Sequence, residues 1–201
     1  MPASIDFYFD FSSPYGYLAS EKVEAMAARH GRSVDWQPVL LGIIFKQTGA
    51  APLTMVPLKG DYSRRDMPRS ARFHGVSDFR MPSKFPIPSQ APARIVLWQK
   101  ERDAALAAAV VHALYRAFFV DDVDISMPDN AVAVAAKCGI DAAAARAAID
   151  DPAVKDALRQ ANDQAIARGV FGSPFIIVDG EPFWGIDRFD QVERWLATGG
   201  W

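Results

Sequence analysis

Apolar and polar residues alternate through Ile5-Asp6-Phe7-Tyr8-Phe9-Asp10, the two-residue period of a strand over 5–10. The pattern then lengthens to a helical period over 14–30, where Tyr15, Leu18, Met26 and Ala27 supply a buried face and Gly31 closes the helix. Val34, Trp36 and Val39 predict a second strand over 33–40. Strand, helix and strand in this order favour a parallel pair joined by a right-handed crossover.

From Gly42 to about Ser89 the periodicity breaks into glycine, proline and charged residues, with a short helix over Ser63–His74. This irregular stretch reads as a site-forming segment. Residues 90–120 are strongly helical, with Pro92 in the first turn and a division near Lys100–Asp103. Further helices are signalled by Asp129 before Asn130–Cys138, by Asp141 before Ala142–Ile149, and by Asp151-Pro152 opening a helix that ends at Gly169. Phe175–Val178 and Pro182–Trp184 flank Asp179-Gly180, a hairpin signal, and Asp187 is placed to cap a last helix through Leu196. The order predicts an α/β fold: a thioredoxin-like sheet from residues 1–41 and 170–201, with an all-helical domain, 42–169, inserted between the N-terminal βαβ and the C-terminal ββα.

Composition narrows the function. Half of the 201 residues are hydrophobic, enough for a sizeable core, and 22 basic residues nearly cancel 24 acidic ones, which leaves no electrostatic footprint for nucleic acid or an anionic membrane. No apolar run approaches the ~20 residues needed to cross a bilayer, and Met-Pro-Ala-Ser-Ile-Asp lacks the regions of a signal peptide, so a cytoplasmic protein is expected. Cys138 stands alone, so neither an internal disulfide nor a Cys-x-x-Cys centre is available. His30, His74 and His112 lack metal-ligand spacing, and no metal is expected.

Chemistry concentrates at Phe9-Asp-Phe-Ser-Ser-Pro-Tyr-Gly16, where a strand runs straight into a Ser-Pro helix start. Serine at N-cap and proline at N1 are the ordinary way to begin a helix. The same arrangement presents unpaired N–H groups and a partial positive charge at the sheet edge, where an anion such as a thiolate can sit. Any thiol chemistry there must borrow its sulfur from another molecule.

Three segments carry a family resemblance: Phe7 to Tyr15, Gly169-Val-Phe-Gly-Ser-Pro-Phe175, and Phe183-Trp-Gly-Ile-Asp-Arg-Phe189. Together they resemble the 2-hydroxychromene-2-carboxylate isomerase family, within the larger group of kappa-class glutathione transferases and DsbA-like oxidoreductases. The resemblance implies glutathione as cofactor, with Ser13 in the place of the thioredoxin nucleophilic cysteine, hydrogen-bonded to the glutathione sulfur. It implies that Pro14 and Tyr15 complete that turn and that Ser173 pairs with the cysteinyl unit beside a cis Pro174, a bond the residues alone leave open between cis and trans. It further implies that the Ile186 backbone and Asp187 meet the γ-glutamyl end and that Lys59 lies near the glycyl carboxylate. Each has a plainer alternative, Asp187 as a helix cap and Lys59 as a solvated loop lysine.

The implied reaction interconverts 2-hydroxychromene-2-carboxylate and trans-o-hydroxybenzylidenepyruvate, or handles a related aromatic substrate of aromatic degradation. A substrate carboxylate would draw on Lys46, Lys59, Arg64 or Arg65, and Phe45, Tyr62, Phe85 and Trp184 would supply an aromatic wall. Ala50, Pro88 and Ile186 depart from the family, which commonly shows asparagine there, and three polar contacts are lost. A kappa-like glutathione transferase and a non-catalytic binding module on the same scaffold are the competing readings, and relatives suggest a homodimer. Disulfide exchange is disfavoured by the missing cysteine pair.

Overall fold

The computed structural model describes residues 4–201. Four strands form one mixed sheet in the order β2-β1-β3-β4. β1 (Ile5–Phe9) pairs in parallel with β2 (Val34–Pro38), Phe7 opposite Trp36. On its other side β1 runs antiparallel to β3 (Phe175–Val178), which turns through Asp179-Gly180 into β4 (Glu181–Trp184). Helix α1 (Pro14–Arg29) joins the parallel pair, as the strand, helix, strand pattern predicts.

Helices α2 (Leu41–Thr48), α3 (Lys59–Phe73), α4 (Gln90–Lys100), α5 (Ala104–Phe119), α6 (Pro128–Lys137), α7 (Ala142–Asp150) and α8 (Pro152–Ala167) follow between β2 and β3, and α9 (Phe189–Thr198) closes the chain. The predicted division near Lys100–Asp103 falls between α4 and α5, where the Asp103 carboxylate accepts the Leu106 N–H at 2.9 Å. Asp141 and Asp151 cap α7 and α8 in the same way.

Four expectations are corrected. Residues 41–48 form a helix rather than irregular chain, because the buried Asp10 carboxylate, remote in sequence, accepts the Leu41 N–H at 2.6 Å and caps it. Helix α3 starts at Lys59, four residues before Ser63, with Gly60 pressed against the Thr54 carbonyl of a short 3-10 turn, Leu53–Met55: a Cβ on Gly60 would lie 2.8 Å from that oxygen. α6 begins at Pro128, which puts Asp129 in the first turn instead of at the cap. Asp187 does not cap the last helix; it lies in a 3-10 turn, Ile186–Arg188, and α9 opens without a side-chain cap.

The core joins the sheet to the helices that follow β2. Phe7 and Phe9 meet Trp36 edge to face at 5.0 and 5.6 Å, and Phe9 reaches Tyr115 of α5 at 5.8 Å. Tyr17 of α1 stacks on Phe119 at 5.3 Å, and Phe79 stacks on Phe119 at 5.7 Å. This aromatic layer lies behind the start of α1 and holds it against α5.

Candidate functional site

Ser13 occupies the N-cap of α1 with an extended backbone, φ −109° and ψ 109°, and Pro14 follows at the first helical position. Its Oγ accepts the Gly16 N–H at 3.0 Å and donates to the Ser173 carbonyl at 2.8 Å. The serine therefore caps the helix and also bridges to the loop before β3. The Ser173-Pro174 peptide is cis, the isomer the family resemblance implies. Ser173 is held from the other side too, because its Oγ accepts the Asp10 N–H at 3.0 Å. The Pro174 carbonyl accepts the Gly185 N–H at 3.0 Å, which ties the loop to the end of β4.

Gly16 is required here: a Cβ would lie 2.7 Å from the Tyr115 hydroxyl and 2.9 Å from Ser173 Oγ. Among the described residues the Tyr15 N–H has no hydrogen-bond partner, whereas the Tyr17 N–H is taken by the Ser13 carbonyl at 3.0 Å. An open donor thus stands beside the Ser13 hydroxyl at the positive end of a 16-residue helix. The Tyr15 hydroxyl donates to Asp66 at 2.5 Å and binds α1 to α3. Burial and then the Asp66 carboxylate push the Tyr15 hydroxyl well above its usual range, so it stays a donor. Burial alone would raise Asp66; hydrogen bonds from Tyr15, Arg69 and Tyr62 outweigh it and hold the carboxylate low.

The remaining sequence-derived residues sort into two groups. Trp184 packs edge to face on Phe171 at 4.9 Å, both exposed, and its indole lies over Gly172, where no side chain fits. Phe85 is half-buried, stacks on Phe118 at 6.5 Å and precedes a cis Pro86; the next residue's N–H, on Ile87, donates to Ser12 Oγ at 3.1 Å. Phe171 belongs to the loop that carries Ser173, and Ile87 ties the Phe85 segment to Ser12, the residue before Ser13. Ile186 is buried, Asp187 exposed. Lys46 and Lys59 are exposed, and their side chains form no hydrogen bond or ion pair among the described residues; Arg64 and Arg65 are exposed as well. Tyr62 is exposed and donates to Asp66 at 3.2 Å. Ala50 and Pro88 lie at the surface. Cys138 sits at the end of α6, and burial pushes its thiol up, away from reactivity.

Three participants escaped the sequence reading. Asp10, 3% exposed, sits behind the turn, and its signal was a carboxylate inside an otherwise apolar run two residues before a Ser-Ser pair, the spacing of an Asx-turn. Phe171 lay inside the Gly169 to Phe175 segment and became visible only through its contact with Trp184. Tyr115, whose hydroxyl donates to the Asp10 carbonyl at 2.9 Å, left no signal, since α5 is read from its alanine-rich helical period alone.

Residues 4–197 match the family model of the DSBA-like thioredoxin domain. The chain is 31% identical over 206 residues to a 2-hydroxychromene-2-carboxylate isomerase of Sphingobium xenophagum, covering 98% of this chain and 99% of the relative. It is 27% identical to a glutathione S-transferase kappa 2 of Caenorhabditis elegans, covering 96% and 91%. A solved structure of a 2-hydroxychromene-2-carboxylate isomerase superposes with a TM-score of 0.86 at 26% identity, covering 97% of this chain and 94% of the other.

Proposed function

The chain belongs to the DSBA-like thioredoxin domain family, and from that premise we propose that it is a glutathione-dependent isomerase. Its reaction interconverts 2-hydroxychromene-2-carboxylate and trans-o-hydroxybenzylidenepyruvate, or a related aromatic pair. The observation that carries this reading is the Ser13 Oγ at the start of α1, bonded to Gly16 N–H and to the Ser173 carbonyl, in a chain whose one cysteine lies elsewhere.

The donor set suits a thiolate. A hydroxyl, an open N–H on Tyr15 and the end of α1 converge, with no side-chain carboxylate bonded to Ser13. A helix N-terminus contributes typically 0.3–1 kcal/mol, up to ~2 kcal/mol when partly buried, and charge-assisted hydrogen bonds add to it. That lowers a thiol pKa by roughly one unit, since one unit corresponds to about 1.36 kcal/mol. The Ser173 carbonyl has a second lone pair beyond the one Ser13 uses, an acceptor for the amide N–H of a peptide-like ligand.

When bound, glutathione supplies a nucleophilic sulfur that adds reversibly to a conjugated carbon and is recovered unchanged. The chain's own work is positional. Ser13 turns its proton from the Ser173 carbonyl toward the sulfur and remains intact. Phe171 and Trp184, with Phe85 and Tyr62, offer flat apolar surface to an aromatic ring, and Lys46 and Lys59 are exposed cations for substrate and glycyl carboxylates. Pro14, Ile186 and Asp187 complete the cofactor side. Ala50, Pro88 and Ile186 provide fewer hydrogen bonds than asparagines would, at about 0.5–1.5 kcal/mol each, so weaker glutathione binding is expected.

Titrating glutathione into wild type and Ser13→Ala, with thiolate absorbance as the signal, tests the reading. Wild type should raise the thiolate fraction at neutral pH about three- to fivefold over Ser13→Ala, which keeps the helix end and the Tyr15 N–H; equal fractions sink it. Full recovery of glutathione after turnover separates isomerisation from the kappa-like transfer that similarity to the nematode enzyme favours as the second reading.

A further inference from the structure

Asp10 is the one acidic side chain buried among the described residues, and no cation is bonded to it. Its Oδ1 accepts the Ser12 N–H at 2.7 Å and its Oδ2 accepts the Leu41 N–H at 2.6 Å. Ser89, 4% exposed at the N-cap of α4, makes no cap bond to its own helix and lies near enough to the Asp10 carboxylate to favour its charged form. The Asp10 main chain is taken as well, its N–H by Ser173 Oγ and its carbonyl by the Tyr115 hydroxyl. One residue thus ties the Ser13 turn to α2, α5 and the cis-proline loop.

Resting on the glutathione reading above, we propose that Asp10 is a positioning residue for the sulfur site, a fixed acceptor that sets the 10–13 turn and so aims the Ser13 hydroxyl and the Tyr15 N–H at the sulfur. The geometry separates this role from that of a charge. Both carboxylate oxygens face backbone N–H groups, so an asparagine must turn its NH2 toward one of them, and one acceptor contact becomes donor against donor. The turn then shifts and the donors lose their aim. As a bare negative charge Asp10 would oppose a nearby thiolate, and its neutralisation would lower the thiol pKa. Positioning and charge therefore predict opposite signs. Burial holds the Asp10 carboxyl above the usual carboxylate range, and Ser12, Ser89 and Leu41 draw it back only in part.

The test is a pH titration of glutathione thiolate absorbance on wild type, Asp10→Asn and Ser89→Ala, with a urea unfolding curve for each. Asp10→Asn should raise the bound thiol pKa and cut the thiolate fraction about three- to tenfold at neutral pH. Ser89→Ala should move it the same way by less. An unchanged or lowered thiol pKa in folded Asp10→Asn overturns the assignment; should that variant fail to fold, the sign for Ser89→Ala decides on the same terms. Wild type that holds no thiolate overturns the parent reading and this one with it, whereas wild-type thiolate with unchanged variants overturns this one alone.

Discussion

The Ser13 hydroxyl is committed twice before any ligand arrives, as acceptor to Gly16 and donor to Ser173. Its capping bond can persist while the proton turns toward a sulfur, so helix capping and ligand binding are one arrangement. The electrostatics of this position are testable without glutathione. In Ser13→Cys on a Cys138→Ala background, the new thiol stands at the N-terminus of α1 and should ionise below the ordinary ~8.5. The pH dependence of its alkylation by iodoacetamide checks this; a midpoint at or above that value would contradict a thiolate-stabilising turn. Native Cys138, which burial raises, should react slowly by comparison.

Between elements, α1 is clamped on both sides. Tyr15 binds it to α3 through Asp66, and His112 of α5 lies 3.1 Å from Glu24 and 3.7 Å from Glu21. Burial works against protonation of His112, but the Glu21 and Glu24 hydrogen bonds and charges outweigh it and raise its pKa above the ordinary 6.5. A raised folded-state pKa means that protonation stabilises the fold. The contribution is complete below about 6.5 and disappears as pH climbs through the raised value. His112→Gln should flatten this part of the stability profile, measured by urea unfolding at several pH values, and an unchanged slope would remove His112 as its cause.

Across the whole molecule, one aromatic layer joins Phe7, Phe9 and Tyr17 to Tyr115 and Phe119, so the sheet and the helices following β2 share a core. Two separately stable bodies, such as a 1–41 plus 170–201 part and a 42–169 part, would each need a core of their own. The shared layer predicts a single unfolding transition reported alike by near-UV and far-UV circular dichroism. Phe119→Ala should cost about 3–5 kcal/mol and shift both signals together. Two separated transitions would show that the parts fold independently.

Local chemistry made much of the chain legible. The alternation of Ile5 to Phe9, the Ser13-Pro14 start, the Asp103, Asp141 and Asp151 caps and the Asp179-Gly180 hairpin each act within a few residues, so the element order and the central serine follow from sequence. The missed helix lies where a distant partner decided, and the smaller errors are element starts displaced by a few residues. Leu41–Thr48 is a helix with a cap supplied by Asp10, α3 starts early against the Thr54 carbonyl, and Asp187 sits in a 3-10 turn short of the helix it was expected to cap. Periodicity and capping are short-range effects written into neighbouring residues. The convergence of Asp10, Ser13, Tyr115 and Ser173 belongs to the tertiary structure, because these hydrogen bonds close over more than a hundred residues and exist only once the shared core has brought their strands and helices together.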